Sequence, residues 1–323
     1  MCPNQPLPFI PLRWSLYNHR DLFAGFVENE PESYGKTADF AIYEHYVRGG
    51  SAAPDQFTGM MRALHDQSIY QALQPLLAGH RVAAVMGSHA MPRSSVGPYA
   101  TAARLARRLT RAGLLVCTGG GPGAMEAVHL GAALANSPDE ALDEAFAQLA
   151  RAAESPNLKY IIRRDGAVDQ ALVKQAHAWF APALGIAARL EKPGVSLGIP
   201  TWHYGHEPTT PFATHIAKFF QNSIREDGLL AVASQGIVFC PGRAGTIQEI
   251  FQDAAQNFYR SYGYFSPMVL LGTAYWRDTY PVIQLLQRLF SKDDFDKRVL
   301  LTDDPDHAAE FIESFVPPTA GAV

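Results

Sequence analysis

The sequence predicts an α/β protein: a Rossmann-like, doubly wound parallel sheet flanked by helices, with a mainly helical N-terminal appendage. Three observations lead there. Short apolar runs of strand length recur from residue 82 onward. Stretches with helical spacing separate them. Two of the runs pass straight into small, glycine-rich loops that open a helix. Strand, helix, strand, glycine loop, helix is the rhythm of a doubly wound sheet.

Residues 1–78 read as the appendage. They begin proline-rich, with Pro3, Pro6, Pro8 and Pro11, and close on an amphipathic stretch in which Phe57, Met60, Met61, Leu64, Ala72, Leu73 and Leu76 fall near helical spacing. Pro75 is expected to end that helix. No chemical motif appears there. The main domain is assigned to residues 79–316. Its first strand is Val82-Ala-Ala-Val-Met86, stopped by Gly87. A helix follows, with Tyr99, Ala102, Leu105, Ala106 and Leu109 on one face and Gly113 at its end. Leu114-Leu-Val-Cys117 is the second strand and leads into the first glycine loop. Residues 136–192 read as a helical insertion. Strands are expected at Val195-Ser-Leu-Gly-Ile199, Ile237-Val-Phe-Cys240, Met268-Val-Leu-Leu271 and Arg298-Val-Leu-Leu301. Helices are expected from Phe212 to Leu230, after the second loop, from Trp276 to Phe290, and from Pro305 to Phe315. The tail, residues 317–323, is expected to be flexible.

Composition narrows the function. Of 323 residues, 47% are hydrophobic and 18% charged, which suits a globular domain with a sizeable core. A net charge of -4 argues against a nucleic-acid binder, which carries a basic face. No stretch reaches the roughly 18 consecutive apolar residues of a membrane span. The first residues lack a basic region followed by an apolar one. Cys117 and Cys240 each end an apolar run before glycines and read as reduced and buried, and Cys2 has no near partner. These readings together predict a cytoplasmic protein without a membrane or nucleic-acid partner.

The chemistry concentrates in the two loops. The first is Gly119-Gly-Gly-Pro-Gly123, followed by Ala124, Met125 and Glu126. The second is Pro241-Gly-Arg-Ala-Gly-Thr-Ile-Gln-Glu249. Loops at the carboxyl ends of parallel strands lie where ligands bind. Helix N-termini offer free N–H groups and the positive end of the helix dipole, and glycine lets backbone approach an anion. Each loop also has a reading without a ligand: the first as a tight strand-to-helix turn, the second as a capping box formed by Thr246 and Glu249.

Together the loops resemble the LOG (Lonely Guy) superfamily, whose hallmark is P-G-G-x-G-T-x-x-E. The first loop looks most like that of the larger nucleotide nucleosidases of that superfamily. The resemblance covers roughly residues 80–135 and 194–316. It implies a Rossmann-like fold, homodimers or higher oligomers, no cofactor and no metal, and hydrolysis of a nucleoside 5′-monophosphate (AMP-like) to free base and ribose 5-phosphate. It places the nucleotide and its phosphate against Gly87, Ser88, Gly119, Gly120, Gly121, Gly123, Met125, Gly242, Arg243, Gly245 and Thr246. Glu249 is the expected carboxylate beneath the sugar, and Arg225 the expected arginine that anchors the ligand or orients Glu249. Two departures stand out. Arg243 replaces the second glycine of the hallmark, and Arg225 lies one residue further from Pro241 than the family spacing, which an extra residue near Ser234-Gln-Gly236 must absorb.

Other readings compete. Members of the broader superfamily are taken as nucleotide sensors or carriers without catalysis, and this is the alternative function. A dehydrogenase needs its fingerprint after the first strand, where Gly87 stands alone. A pyridoxal-dependent decarboxylase needs a marked lysine, and none is marked. His203 and His206 with Glu207 match no metal-ligand spacing and read as loop residues. Glu126 reads as a first-turn helix residue rather than a catalytic acid. Ser88 and His89 read equally as ligand contacts or turn residues.

Overall fold

The computed structural model describes residues 7–163 and 165–317. Cys2 and, Pro317 apart, the tail lie outside them. Three helices come first: α1 (His19–Leu22), α2 (Ala38–Gly49) and α3 (Gln56–Ala78). The sheet then begins, with β1 (Val82–Met86), α4 (Gly97–Arg111), β2 (Leu115–Thr118) and α5 (Ala124–Ala133). Residues 136–192 contribute α6 (Glu140–Leu149) and α7 (Gln170–Ala188). The remainder is β3 (Ser196–Gly198), β4 (His215–Ile216), α8 (Asn222–Ala231), β5 (Gly236–Phe239), α9 (Ala244–Phe258), β6 (Met268–Leu271), α10 (Val282–Leu289), α11 (Lys292–Arg298), β7 (Val299–Thr302) and α12 (Pro305–Ser314).

The seven strands form one sheet in the order β4-β3-β2-β1-β5-β6-β7. Every pairing is parallel. This is the doubly wound α/β fold that the sequence predicts. Both faces are buried, so the strands read as continuous apolar runs whose side chains alternate between two cores. Val82, Ala84 and Met86 of β1 enter one core with Ile237 and Phe239 of β5. Ala83 and Val85 enter the other with Val238 and Cys240. Helices α4, α5, α6 and α12 cover the second face through Leu105, Val128, Phe146 and Ile312. The first face is covered by α9 and by the N-terminal helices, which insert Phe40, Tyr43 and Ile69 into the core of the sheet.

Several elements differ from the sequence reading. α3 does not stop at Pro75 but continues to Ala78. The missing proline N–H leaves only one helical bond unmade, near the helix end. Residues 212–221 are not helical: His215–Ile216 pairs with β3 as the edge strand, and α8 starts at Asn222. The stretch from Trp276 to Phe290 divides into a π-helical turn over Tyr275–Thr279 and the separate helix α10. Cys117 and Cys240 are buried and unbridged. Among the described residues, no helix is long and apolar enough to cross a membrane.

Candidate functional site

Strand order reverses at β1, whose neighbours are β2 on one side and β5 on the other. Ligand crevices of open α/β sheets form at such a reversal, outside the carboxyl ends of the strands. The loops leaving β1, β2 and β5 meet there. Ser88 N–H donates to the Pro241 carbonyl (3.2 Å). Gly87 sits so close to its neighbours that a Cβ on it would fall 2.7 Å from Ala124 Cβ. Glycine is required at this contact because any side chain would push the three loops apart.

The two helix N-termini at the crevice differ. That of α5 is closed by protein. The Ser88 carbonyl accepts from Ala124 N–H (3.0 Å), and the chain at Ser88 and His89 lies directly on Gly123, which has a φ of 69°. Inside the first turn, Glu126 pairs with Arg93 through two contacts of 2.7 and 2.8 Å, and Tyr99 adds a hydroxyl bond of 2.8 Å. Arg93 also donates to the Trp179 carbonyl (2.8 Å) and stacks on the Trp179 ring. Both partners are essentially inaccessible, at 1% and 0% side-chain exposure. This pair ties the β1 loop, α5 and α7 together. Ser88 Oγ is occupied in its own turn, accepting from Ala90 N–H (3.2 Å).

The N-terminus of α9 is open. Its N-cap is Arg243, without a side-chain hydrogen bond, and Arg243, Ala244 and Gly245 are exposed. Thr246 is therefore the third helical residue and not the cap, so the capping box is absent. Its hydroxyl packs on the Cα of Gly242, where no Cβ fits. The Gly242 carbonyl is braced by the Tyr275 hydroxyl (2.8 Å). A free cation at a helix N-terminus is unfavourable unless an anion sits between them, which makes Arg243 informative.

Arg225 and Glu207 flank the first loop. Arg225, on α8, donates from Nε to the Ile199 carbonyl (3.1 Å) and lays its guanidinium against Gly119. Glu207 lies on the other side. A Cβ on Gly121 would fall 2.7 Å from Glu207 Oε1. Met125 sits beneath the loop, its sulfur accepting from Gly121 N–H (3.4 Å). Gly120, at a φ of 75°, donates to Thr118 Oγ1 (2.8 Å), and that hydroxyl meets His129 (2.8 Å), which in turn reaches Ser196 (2.8 Å). Burial drives the His129 pKa down to about 3, so the imidazole is neutral and acts as a fixed strut beneath the loop.

Glu249 is partly buried in the second turn of α9. Its pKa is pushed up to about 7, above all by burial. Arg225 opposes that rise, and the negative charges of Glu226 and Glu207 add to it. The charges of Arg225, Glu226 and Glu207 thus lie near enough to act on Glu249. Glu226 is already bonded by the Tyr204 hydroxyl. Among the described residues, no side chain bonds to the carboxylate of Glu249 or of Glu207, and Arg225 uses only its Nε.

Sequence reasoning read Glu207 only as a loop residue and missed Arg93, Tyr275 and the role of the N-terminal helices. His206, beside Glu207, is buried against Tyr34, Phe40 and Tyr43 and meets the Tyr34 hydroxyl (2.6 Å). Asp39 pairs with Lys218 (2.8 and 3.0 Å) and accepts from the Trp202 indole (2.8 Å). Asp66 accepts from the backbone of Phe220 and Gln221, just before α8. The N-terminal helices thereby hold both the loop of Glu207 and the start of the helix of Arg225. His203 meets the Tyr46 hydroxyl (3.1 Å), and among the described residues no cluster of three or more His, Cys, Asp or Glu is placed to hold a metal ion.

No family model matches this chain, and no curated protein sequence does. Among the solved structures similar to this chain, two match over 73% of its length. One is the X-ray structure of TM1055, a structural-genomics target, at 20% identity and a TM-score of 0.42, with 99% of that chain covered. The other is the molybdenum cofactor binding protein from the phototrophic bacterium Rippkaea orientalis, at 15% identity and a TM-score of 0.40, with 96% of that chain covered. The fold that the resemblance to the LOG superfamily implies, a parallel sheet flanked by helices, is the fold of this chain.

Proposed function

We propose that the protein binds a nucleoside 5′-monophosphate in the crevice between β1, β2 and β5 and hydrolyses its N-glycosidic bond. The feature that carries this reading is Glu249, a partly buried carboxyl group whose pKa is pushed up to about 7, near a half-bonded Arg225 at the glycine loop. Charge divides the crevice. Glu207, Glu226 and Glu249 disfavour a phosphate over Gly119, Gly120 and Gly121. The open N-terminus of α9, with Gly242, Arg243, Gly245 and Thr246, favours one. The phosphate therefore belongs on the second loop, and the sugar lies between the loops, above Glu249. Gly87, Ser88, Gly123 and Met125 then act by holding the loops in place.

Cleavage builds positive charge on the ribose ring. Water adds to C1′ as the C1′–N bond breaks, and the base leaves with the bonding pair. Ionised Glu249 stabilises the charge on the sugar and accepts the proton from water, and protonation of the departing base completes the balance. Arg225 keeps part of the Glu249 population ionised and orients it. Glu249→Gln is the test. It preserves size and hydrogen bonding, so it retains nucleotide binding by calorimetry while base release falls at least about 100-fold. Full activity in this variant overturns the assignment. Nucleotide binding without base release by the unmodified protein supports the sensor or carrier reading instead.

A further inference from the structure

We infer that Glu207 reads the vicinal hydroxyls of the sugar and makes the site selective for ribose over 2-deoxyribose, an inference that rests on the nucleotide reading above. Its carboxylate lies directly against Gly121, across the first loop from Arg225. No side chain among the described residues bonds to it, although the chain around it is fixed on both sides. His206 is buried against Tyr34, the Lys218 ammonium reaches the Glu207 carbonyl (3.5 Å), and Thr210 N–H donates to the Gly120 carbonyl (2.9 Å). A partly buried carboxylate with fixed backbone and open oxygens is a preorganised acceptor. A carboxylate cannot serve the phosphate. It suits neighbouring hydroxyl donors, and the cis-diol of ribose supplies two at the spacing of the two oxygens. The sugar lies between the loops, so its hydroxyls are the donors that face Gly121.

This role explains an otherwise costly construction. Residues 7–78 bury aromatic and charged side chains around one stretch of chain. Asp39, Tyr34 and Asp66 all act on residues 202–221. The outcome is that Glu207 and Arg225 face each other across the first glycine loop.

The test compares kcat/KM for ribonucleoside and 2′-deoxyribonucleoside 5′-monophosphates in the full-length protein, Glu207→Ala and Glu207→Gln. Unmodified protein is expected to favour the ribonucleotide by about 10- to 100-fold, the worth of a hydrogen bond to a charged acceptor. Glu207→Ala is expected to lose about that factor on the ribonucleotide and less than about threefold on the deoxyribonucleotide, with Glu207→Gln in between. Equal losses on both sugars mean a purely structural role and overturn the inference, as does an unchanged preference. If no nucleotide releases its base, the hydrolytic reading fails, and Glu207 is then tested by binding alone. Calorimetry with ribose 5-phosphate and 2-deoxyribose 5-phosphate should show tighter binding of the former, erased in Glu207→Ala. Equal affinities, or no binding of either, overturn it.

Discussion

Replacing Glu249 by glutamine removes a charge from a place where the fold disfavours one. In the unfolded chain the carboxyl titrates near its ordinary 4.5, and in the folded protein near 7. Between those values the native state holds a proton that the unfolded state has released. Stability therefore falls as pH rises through this window and stays lowered above it. Each decade of displacement is worth about 1.4 kcal/mol, so the cost at pH 8 reaches up to about 3 kcal/mol. Glu249→Gln escapes that cost. In urea denaturation at pH 8 the variant should be more stable than the unmodified protein by up to about 3 kcal/mol, and the difference should shrink toward zero below pH 4.5. The same variant should be the inactive one. A variant that is equally stable or less stable at pH 8 would refute the idea that burial of an ionisable Glu249 is being traded for function.

Three further outcomes follow from the same geometry. The kcat/KM profile should rise about tenfold between pH 6 and pH 8 as Glu249 ionises, and Arg225→Met, which removes the charge that lowers its pKa, should move that limb to higher pH; a limb near pH 4.5 contradicts the assignment. Arg93→Met strands Glu126 at 0% exposure and should cost about 3–5 kcal/mol in denaturant titration. Gly242→Ala drives a methyl into Thr246 and should weaken nucleotide binding by about tenfold or more in calorimetry while the far-ultraviolet circular dichroism is kept.

Periodicity carried the sheet. β1, β2, β5 and β6 are short apolar runs because both their faces are buried, and the glycines that end them mark where loops must touch. Helix starts were less legible where contact overrode local preference. Residues 212–221 read as helix, yet they build an edge strand and then a turn fixed by Asp66, a residue more than 150 positions away. The motif Pro241 to Glu249 marked the second loop, and the capping box, its alternative without a ligand, shows why spacing alone is ambiguous. Thr246 and Glu249 satisfy the pattern, but Arg243 is the cap. Arg225 was found through the resemblance, and a turn that ends on Gly236, at a φ of 121°, separates its helix from β5. Glu207 was read only as a loop residue, because with His203 and His206 it matches no metal-ligand spacing. Its place depends on Asp39, Tyr34 and Lys218, which no local pattern joins. The Arg93–Glu126 pair, 33 residues apart, was invisible for the same reason.

The proposed hydrolysis is read out by incubating the protein with a panel of nucleoside 5′-monophosphates and the matching unphosphorylated nucleosides, and separating free base by chromatography. Base and ribose 5-phosphate are expected from at least one monophosphate, and little or none from its nucleoside, because the open α9 N-terminus and Arg243 act only on the phosphate. Equal release from nucleoside and nucleotide would contradict the phosphate assignment, and absence of release from every monophosphate would contradict the nucleosidase reading itself.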